Sequence, residues 1–226
     1  MGDAPPVRTS SMILSENRYP PGLRAGQAFS GSCPRKRSAV AGIDESREFI
    51  PLRIAVLTVS DTRSAAEDKS GATLAERIAK AGHAVAARAI VTDDVAEIRA
   101  QVRAWVADPA VDVVISTGGT GFTGRDVTPE AVEPLFEKRM DGFATLFLMV
   151  SHAKIGTSAI QTRATAGVAG ATYIFCLPGS PGACKDAWDE ILLHQLDYRY
   201  RPCNFVEIIP RLDEHLRRPK AKGATV

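Results

Sequence analysis

The segment 116–121, Ser-Thr-Gly-Gly-Thr-Gly, has a composition suited to binding a phosphate group. Its glycines allow positive φ angles and close approach of the backbone to a ligand, and its threonine hydroxyls can donate hydrogen bonds to phosphate oxygens. It lacks the lysine of a Walker loop and the spacing of a dinucleotide fingerprint. A tight turn and a phosphate-binding loop both remain open. The candidate phosphate ligands are Thr117, Gly118, Gly119, Thr120 and Gly121.

Two aspartates are candidate magnesium ligands beside this loop. Asp126 comes just before the segment 128–130, Thr-Pro-Glu, which predicts a helix start with Thr as N-cap and Pro as the first helical residue. A carboxylate there either stabilises the helix dipole or binds hydrated Mg²⁺ together with substrate phosphates. Asp93 also precedes a predicted helix, and it is either a cap or the second Mg²⁺ ligand.

The predicted elements bring these loops to one edge of a sheet. We predict strands over 52–59, 84–91, 111–116 and 172–177, and helices over 70–81, 94–106 and from 181 to about 194. This alternation favours an α/β fold, a three-layer α/β/α sandwich around a mostly parallel sheet. Ligands of such sheets bind beyond the carboxyl ends of the strands, where the loops meet. We therefore expect Ser60-Asp61, Asp93, the glycine loop with Asp126, and Pro178-Gly179-Ser180 to lie together there.

Two of these features have a purely structural interpretation as well. Pro178-Gly179-Ser180 is either a strand-to-helix turn capped by Ser180 or part of a ligand site. Arg163 pairs either with a phosphate or with a surface carboxylate.

Composition excludes several classes of protein. The 226 residues are 45% hydrophobic and 24% charged, with a formal net charge of +2, which is too small for binding bulk nucleic acid. The four cysteines form no C-x-x-C pair, which favours a reducing compartment. No apolar run spans a bilayer and no signal core is visible. We expect a cytoplasmic protein that binds a small anionic molecule, without nucleic acid or membrane.

Three segments are predicted along the chain. Residues 1–48 are rich in Pro, Gly, Ser and Arg and lack periodicity, which predicts a disordered N-terminal extension. Residues 49–211 form the predicted domain, and residues 212–226 a flexible C-terminal tail.

At these residues the chain resembles the molybdenum-cofactor biosynthesis family that includes the Mog and MoaB proteins, the plant Cnx G domain and the gephyrin G domain. The shared motifs are Val59-Ser60-Asp61-Thr62, Asp68-Lys69-Ser70-Gly71, Ser116 to Gly121, Arg125 to Glu130, and Leu177-Pro178-Gly179-Ser180. Ile155-Gly156-Thr157-Ser158 and Arg201-Pro202-Cys203-Asn204-Phe205 are similar to the MoaB branch in particular.

The resemblance implies a molybdopterin-binding fold and adenylylation of molybdopterin by Mg·ATP, with release of pyrophosphate. It places Asp93 and Asp126 at the family's catalytic carboxylate positions, where they organise Mg²⁺. It also implies that the glycine loop holds phosphate. The residues it assigns to the nucleotide or pterin side are Ser60, Asp61, Ser70, Gly71, Thr162, Arg163, Pro178, Gly179 and Ser180.

Two departures and two alternative functions accompany the resemblance. Thr162-Arg163 stands where adenylylating members commonly carry Ser-Arg, and Thr92-Asp93 stands where they commonly carry Pro-Asp. Because some MoaB proteins lack adenylylation, a molybdopterin carrier or assembly module without catalysis is the alternative function, and a structural scaffold is a third. The resemblance further implies a homo-oligomer, a trimer or a hexamer, with other molybdenum-cofactor biosynthesis proteins as partners, and the apolar run 143–150 is a candidate interface.

Overall fold

The computed structural model describes residues 41–217, which form an α/β sandwich. The strands are β1 Gly42–Ile43, β2 Arg53–Val59, β3 Ala84–Val91, β4 Val113–Thr117, β5 Lys138–Arg139, β6 Thr165–Ala169, β7 Thr172–Leu177 and β8 Tyr200–Arg201. The α-helices are α1 Lys69–Lys80, α2 Val95–Val106, α3 Thr128–Val132, α4 Asp141–Ile155, α5 Pro181–Ala187, α6 Leu193–Gln195 and α7 Glu214–Arg217. Short 3₁₀ turns follow α3 and α4, and a π-helical turn, Trp188–Leu192, follows α5.

The main sheet has six strands in the order β3-β2-β4-β7-β6-β5. The first four are parallel, and β6 and β5 continue the sheet in antiparallel pairing. This confirms the predicted α/β fold with a mostly parallel sheet. Strands β5 and β6 had no counterpart in the predicted elements, since β5 is only two residues long and β6 contains a glycine and small side chains.

Alternate residues of the central strands enter two separate cores. In β2, Ile54 and Val56 pack on the side of α1, α4 and α5, whereas Ala55 and Leu57 pack on the side of α2 and α3. This follows from the two-residue period of a strand buried on both faces. Each fully buried leucine or isoleucine, such as Leu57, contributes on the order of 1.5–3 kcal/mol. The two cores make the sandwich three layers thick.

Strand β2 lies between β3 and β4, so the connection from β3 to β4 passes over β2. The loops that follow β2 and β4 lead to opposite faces of the sheet. The loop after β2 leads to α1, and the loop after β4 leads to α3. A crevice forms at such a switch in strand order, at the carboxyl ends of the strands.

The described parts of the two predicted tails contact the domain. Strand β1 pairs with β8, and Arg47 bonds Glu207 while stacking on the Tyr198 ring. At the other end Leu212 is buried in the core. The remaining residues of both tails, 1–40 and 218–226, lie outside the described residues. The predicted domain boundaries stay predictions.

Helix α4 and its 3₁₀ continuation, residues 141–161, are long and apolar enough to cross a membrane by length and composition alone. Core helices of water-soluble proteins meet the same criterion. Phe143 and Phe147 of α4 pack into the core, while Leu146, Leu148 and Met149 are exposed. The predicted interface run 143–150 thus divides into a core side and an outer side.

A buried carboxylate begins helix α1. Asp68 is 3% exposed, and its oxygens accept hydrogen bonds from the Gly71 N–H at 2.8 Å, the Thr58 hydroxyl at 2.9 Å and Arg88 at 3.0 Å. These three hydrogen bonds offset the free-energy cost of removing the carboxylate charge from water. Only glycine fits at position 71 without a steric clash, because a Cβ there would lie 2.2 Å from Asp68 Oδ2.

We expect the Gly71→Ala substitution to lower the free energy of unfolding by roughly 1–3 kcal/mol, since the added methyl group displaces the cap. Gly142→Ala is the matched control, because a Cβ there meets nothing within 4 Å and alanine is the better helix former. Denaturant titration of both variants is the measurement. Equal free energies for the two variants would contradict this account of α1.

Candidate functional site

The glycine loop, residues 118–121, leaves β4 in a conformation that other residues adopt only with strain. Gly118 and Gly119 have φ angles of +105° and +64°. A Cβ on Gly118 would lie 2.2 Å from the Val59 carbonyl oxygen, and a Cβ on Gly119 would lie 3.2 Å from Asp93 Oδ1. The loop therefore packs directly against the end of β2 and the loop after β3.

All four carbonyl groups of the glycine loop are hydrogen-bonded to the protein. Thr128 donates from its hydroxyl to the first carbonyl, at 2.8 Å, and from its N–H to the second, at 2.9 Å. Arg163 donates from its N–H to the third and from Nε to the fourth, both at 2.8 Å. Thr128, at the start of α3, and Arg163, far along the chain, thus hold the whole loop.

The N–H groups of the loop have a different arrangement. Gly118 donates to Leu177, and Gly121 donates to the Asp126 carboxylate. Within residues 41–217, no acceptor bonds the N–H groups of Gly119 and Thr120. Adjacent free N–H groups in a concave loop form a nest for an anion. This supports the phosphate-binding interpretation over the tight-turn one.

Asp126 lies at the far end of the loop and is well supplied with donors. Its carboxylate accepts from the Thr123 hydroxyl at 2.6 Å and the Thr123 N–H at 2.8 Å. The Thr123 hydroxyl and the backbone donors outweigh partial burial and lower the pKa of Asp126. Arg163 also donates to the Asp126 carbonyl at 2.7 Å.

Asp93 forms a reciprocal pair with Asp61. Each carboxylate accepts the other residue's backbone N–H at 3.0 Å. Burial raises the pKa of Asp93, partly opposed by the Asp61 N–H. The bonds from the Asp93 N–H and from Arg125 lower the pKa of Asp61. Arg125 bonds Asp61 through both Nε and a terminal nitrogen, at 2.8 and 2.7 Å, which fixes the Asp61 carboxylate.

The loops enclose a cavity of about 390 Å³ at the crevice beside β2 and β4. The predicted site residues that line it are Ser60, Asp93, Gly118, Gly119, Thr120, Gly121, Asp126, Thr162, Pro178, Gly179 and Ser180. Val59, Arg63 and Gln161 complete the wall. Sequence reasoning missed these three as site residues. Val59 begins the shared motif 59–62 but has an apolar side chain, Gln161 belongs to no motif, and the only signal for Arg63 was its place in the loop after β2.

Five predicted site residues lie behind the cavity wall and support it. The Thr117 hydroxyl donates to the Pro178 carbonyl at 2.9 Å, and the Ser70 hydroxyl donates to the Gly179 carbonyl at 2.7 Å. The other three are Gly71, in the first turn of α1, Asp61, which holds Asp93, and Arg163, which holds the glycine loop.

The helix starts around the cavity correct one prediction and confirm others. Helix α3 begins at Thr128, so Thr128 is not its N-cap; its hydroxyl bonds the Gly118 carbonyl instead. Ser180 caps α5 by accepting from the Ala183 N–H, and it lines the cavity as well. The predicted helix over 94–106 has Asp94 as its N-cap, since the Asp94 carboxylate accepts from the Ala96 and Glu97 N–H groups.

Asp94 and Glu97 have the spacing of a capping box, but Glu97 does not bond the cap residue. The Glu97 carboxylate accepts from the Thr92 hydroxyl at 2.7 Å and from the Thr92 N–H at 3.3 Å rather than from the Asp94 N–H. These bonds restrain the backbone at Thr92, directly before Asp93.

The cavity offers too few protein ligands to hold a metal ion without a ligand from the substrate. No group of three or more His, Cys, Asp or Glu side chains within the described range could hold a metal. Asp93 and Asp126 are two carboxylates on one cavity, and the negative charge of Asp126 contributes to the raised pKa of Asp93. Mg²⁺ typically binds through one or two carboxylates together with substrate phosphates. The residues fit an ion that arrives with a phosphate ligand.

The fold and the cavity define an α/β protein with a glycine loop and two carboxylates at the switch point of a mostly parallel sheet. A family model described as "Probable molybdopterin binding domain" matches residues 55–198. The chain belongs to this family.

Similar proteins agree with this membership. The chain is 52% identical over 160 residues to molybdenum cofactor biosynthesis protein B of Escherichia coli (strain K12), covering 71% of this chain and 94% of the relative. It is 41% identical over 162 residues to the protein of the same name from Bacillus subtilis (strain 168), covering 70% and 95%. A crystal structure of molybdenum cofactor biosynthesis protein B aligns with a TM-score of 0.64 and 37% identity, over 76% of this chain and all of that chain. The resemblance to the MoaB branch is confirmed.

We expect the two aspartates to affect stability in opposite directions at pH 7. Asp126→Asn should lower the free energy of unfolding by roughly 1–2 kcal/mol, because charge-assisted bonds are lost. Asp93→Asn should raise it, because a partly buried charge is removed while an oxygen remains to accept from Asp61. Denaturant titrations of both variants at several pH values are the measurement.

The pH dependence follows from the directions of the pKa shifts. The contribution of Asp126 is complete above its unfolded-state pKa and is lost as pH falls through its lower folded-state pKa. The destabilisation caused by the ionised Asp93 carboxylate is present above its raised folded-state pKa and is lost as pH falls through that value. Destabilisation by Asp93→Asn at pH 7 would contradict burial as the main influence on Asp93.

Proposed function

We propose that this MoaB-type protein of molybdenum cofactor biosynthesis catalyses the Mg-ATP-dependent adenylylation of molybdopterin. A terminal phosphate oxygen of molybdopterin forms a bond to the α-phosphorus of ATP. The bond from that phosphorus to the bridging oxygen breaks, and pyrophosphate leaves. The observation that carries the proposal is the placement of Asp93 and Asp126 on one cavity with the free N–H groups of the glycine loop.

The chain's own groups suit a transfer that needs positioning and charge stabilisation rather than a covalent nucleophile. The N–H groups of Gly119 and Thr120 bind phosphate oxygens, and the Thr123 donors keep Asp126 ionised at neutral pH. Asp93 and Asp126 would hold Mg²⁺, which neutralises phosphate charge when bound. Ser60, Thr162 and the turn 178–180 form the remaining wall, against the nucleotide or the pterin.

We expect Asp126→Asn and Asp93→Asn each to lower the rate of adenylyl-molybdopterin formation by about 100-fold or more, the size expected when a preorganised electrostatic contact is lost. The control is Asp108→Asn, an exposed aspartate in the turn after α2 whose acceptor role toward the Ala110 N–H an asparagine retains. Product formation from molybdopterin, ATP and Mg²⁺ is the measurement, together with pyrophosphate release. Normal turnover by either site variant would remove that residue from the mechanism.

A carrier without catalysis is the alternative that the same assay separates. The family model describes molybdopterin binding and no transfer. Tight molybdopterin binding by the wild-type protein without adenylylated product or pyrophosphate would select the carrier and reject the adenylyltransferase.

We also propose a homo-oligomer, a trimer or a hexamer, in which the outer side of α4 is buried. Met149 and Ile155 are 63% and 58% exposed, and Ile160 in the following 3₁₀ turn is 70% exposed. Several large apolar side chains exposed along one helical segment favour an interaction surface there. A cytoplasmic location accompanies this proposal, since Cys203 is an exposed free thiol.

We expect Met149→Glu to reduce the molar mass of the assembly, because burying an unpaired carboxylate at an apolar interface is costly. Ile208→Glu is the control, since Ile208 is 45% exposed and lies outside α4. Size-exclusion chromatography with light scattering measures both variants. A wild-type monomer, or an assembly unaffected by Met149→Glu, would contradict this interface.

A further inference from the structure

Arg63 is the arginine that lines the cavity, and it stands in the loop between β2 and α1. One terminal nitrogen donates to the Ser70 hydroxyl at 3.2 Å, and the other donates to the Gly179 carbonyl at 3.1 Å. Both partners are neutral, so they orient the guanidinium without neutralising it. Five N–H donors are available to a guanidinium, so donors remain for a ligand.

The charge of Arg63 is uncompensated within residues 41–217, since no carboxylate there lies within 4.0 Å of its guanidinium. The other two arginines near the site are paired. Arg125 binds Asp61, and Arg163 binds Glu130. A fixed, unpaired guanidinium on a polar cavity is suited to a phosphate or carboxylate group, which it can bind with two parallel hydrogen bonds.

The bonds that Arg63 makes to the protein are not needed to hold the loop after β7. The Ser70 hydroxyl already donates to the same Gly179 carbonyl at 2.7 Å, which is shorter than the bond from Arg63. Gly179 is also in close contact with the glycine loop, since a Cβ on it would lie 3.2 Å from the Gly118 Cα. A purely structural role for Arg63 would duplicate contacts that exist without it.

The cavity separates positive from negative groups. Arg63 bonds residues that begin α1 and precede α5, two helices on one face of the sheet. Asp93 and Asp126 precede α2 and α3, which cover the other face. The glycine loop lies between. The carboxylate side suits phosphates that carry a metal ion, and the arginine side suits a phosphate group without one.

We infer that Arg63 binds the terminal phosphate of the pterin substrate, a phosphomonoester, and holds it toward the glycine loop. The assignment of this phosphate to the pterin rests on the proposed function. Under it, the metal-bound phosphates of ATP occupy the side of Asp93 and Asp126, and the attacking phosphate occupies the side of Arg63. Two phosphate groups are thereby brought together from opposite sides of the loop.

The test compares three ligands on the wild-type protein and two Arg63 variants. Dissociation constants are measured for molybdopterin, for its dephosphorylated form and, separately, for Mg·ATP, with wild type, Arg63→Ala and Arg63→Lys. Wild type should bind the phosphorylated pterin at least about 10-fold more tightly than the dephosphorylated one, the preference expected for a charge-assisted bidentate contact. Arg63→Ala should remove this preference. Arg63→Lys keeps the positive charge but loses the two parallel N–H donors of the guanidinium, so it should retain part of the preference.

Controls separate this role from the stability of the loop. Arg103→Ala removes one positive charge from an exposed position on α2, and it should leave the preference unchanged. Affinity for Mg·ATP should change less than about 2-fold in Arg63→Ala, a difference well below the tenfold that 1.4 kcal/mol represents. Thermal unfolding shows whether Arg63→Ala folds; should it fail, the partial loss in Arg63→Lys carries the test.

Two outcomes would overturn the inference: an undiminished preference for the phosphorylated pterin in the Arg63 variants, or a loss of Mg·ATP affinity in place of pterin affinity. A wild-type protein that shows the expected preference and its loss in Arg63→Ala, yet forms no adenylylated product, supports the inference and rejects the adenylyltransferase. Failure of the two proposals is therefore distinguishable.

Discussion

The hydrogen bonds to the carbonyl groups of the glycine loop are the interaction on which the rest of the site depends. Thr128 and Arg163 bond all four carbonyls of residues 118–121, so the backbone cannot turn these groups toward a ligand. The N–H groups of Gly119 and Thr120 then remain for an anion. An anion site made in this way costs little reorganisation on binding, because the protein already holds its dipoles in place.

The same loop separates the charged groups of the cavity. Arg163 and Thr123 also hold Asp126, and Asp61 with Arg125 holds Asp93, so both carboxylates have fixed supports. Burial of Asp93 works against stability, and its raised pKa is the sign of that cost. Proteins retain such a group where function requires it. Arg63 supplies the opposite charge at the other wall without an ion pair that would cancel it.

Topology explains why residues so distant in sequence meet. Parallel strands β2, β3, β4 and β7 all end at one edge of the sheet, and the change of direction between β3 and β4 opens a crevice there. Helix α4 takes no part in that edge. It closes one core with Phe143 and Phe147 and leaves apolar side chains outside. The proposed subunit interface is thus centred on α4, and the 3₁₀ turn after α4, which carries Ile160 and ends at Gln161 of the cavity wall, connects it to the site.

By itself the sequence determined the alternation of strands and helices, the glycine loop, Asp93 and Asp126, because periodicity and local motifs record them directly. The short strand β5 and the start of α3 at Thr128 were not predictable, since β5 is held by pairing with β6 and Thr128 by its bond to Gly118. Only the tertiary structure decided that Thr117, Ser70 and Arg163 support the cavity whereas Arg63 lines it. The physical reason is that the direction of a side chain at the sheet edge depends on partners from other loops, which no local pattern contains.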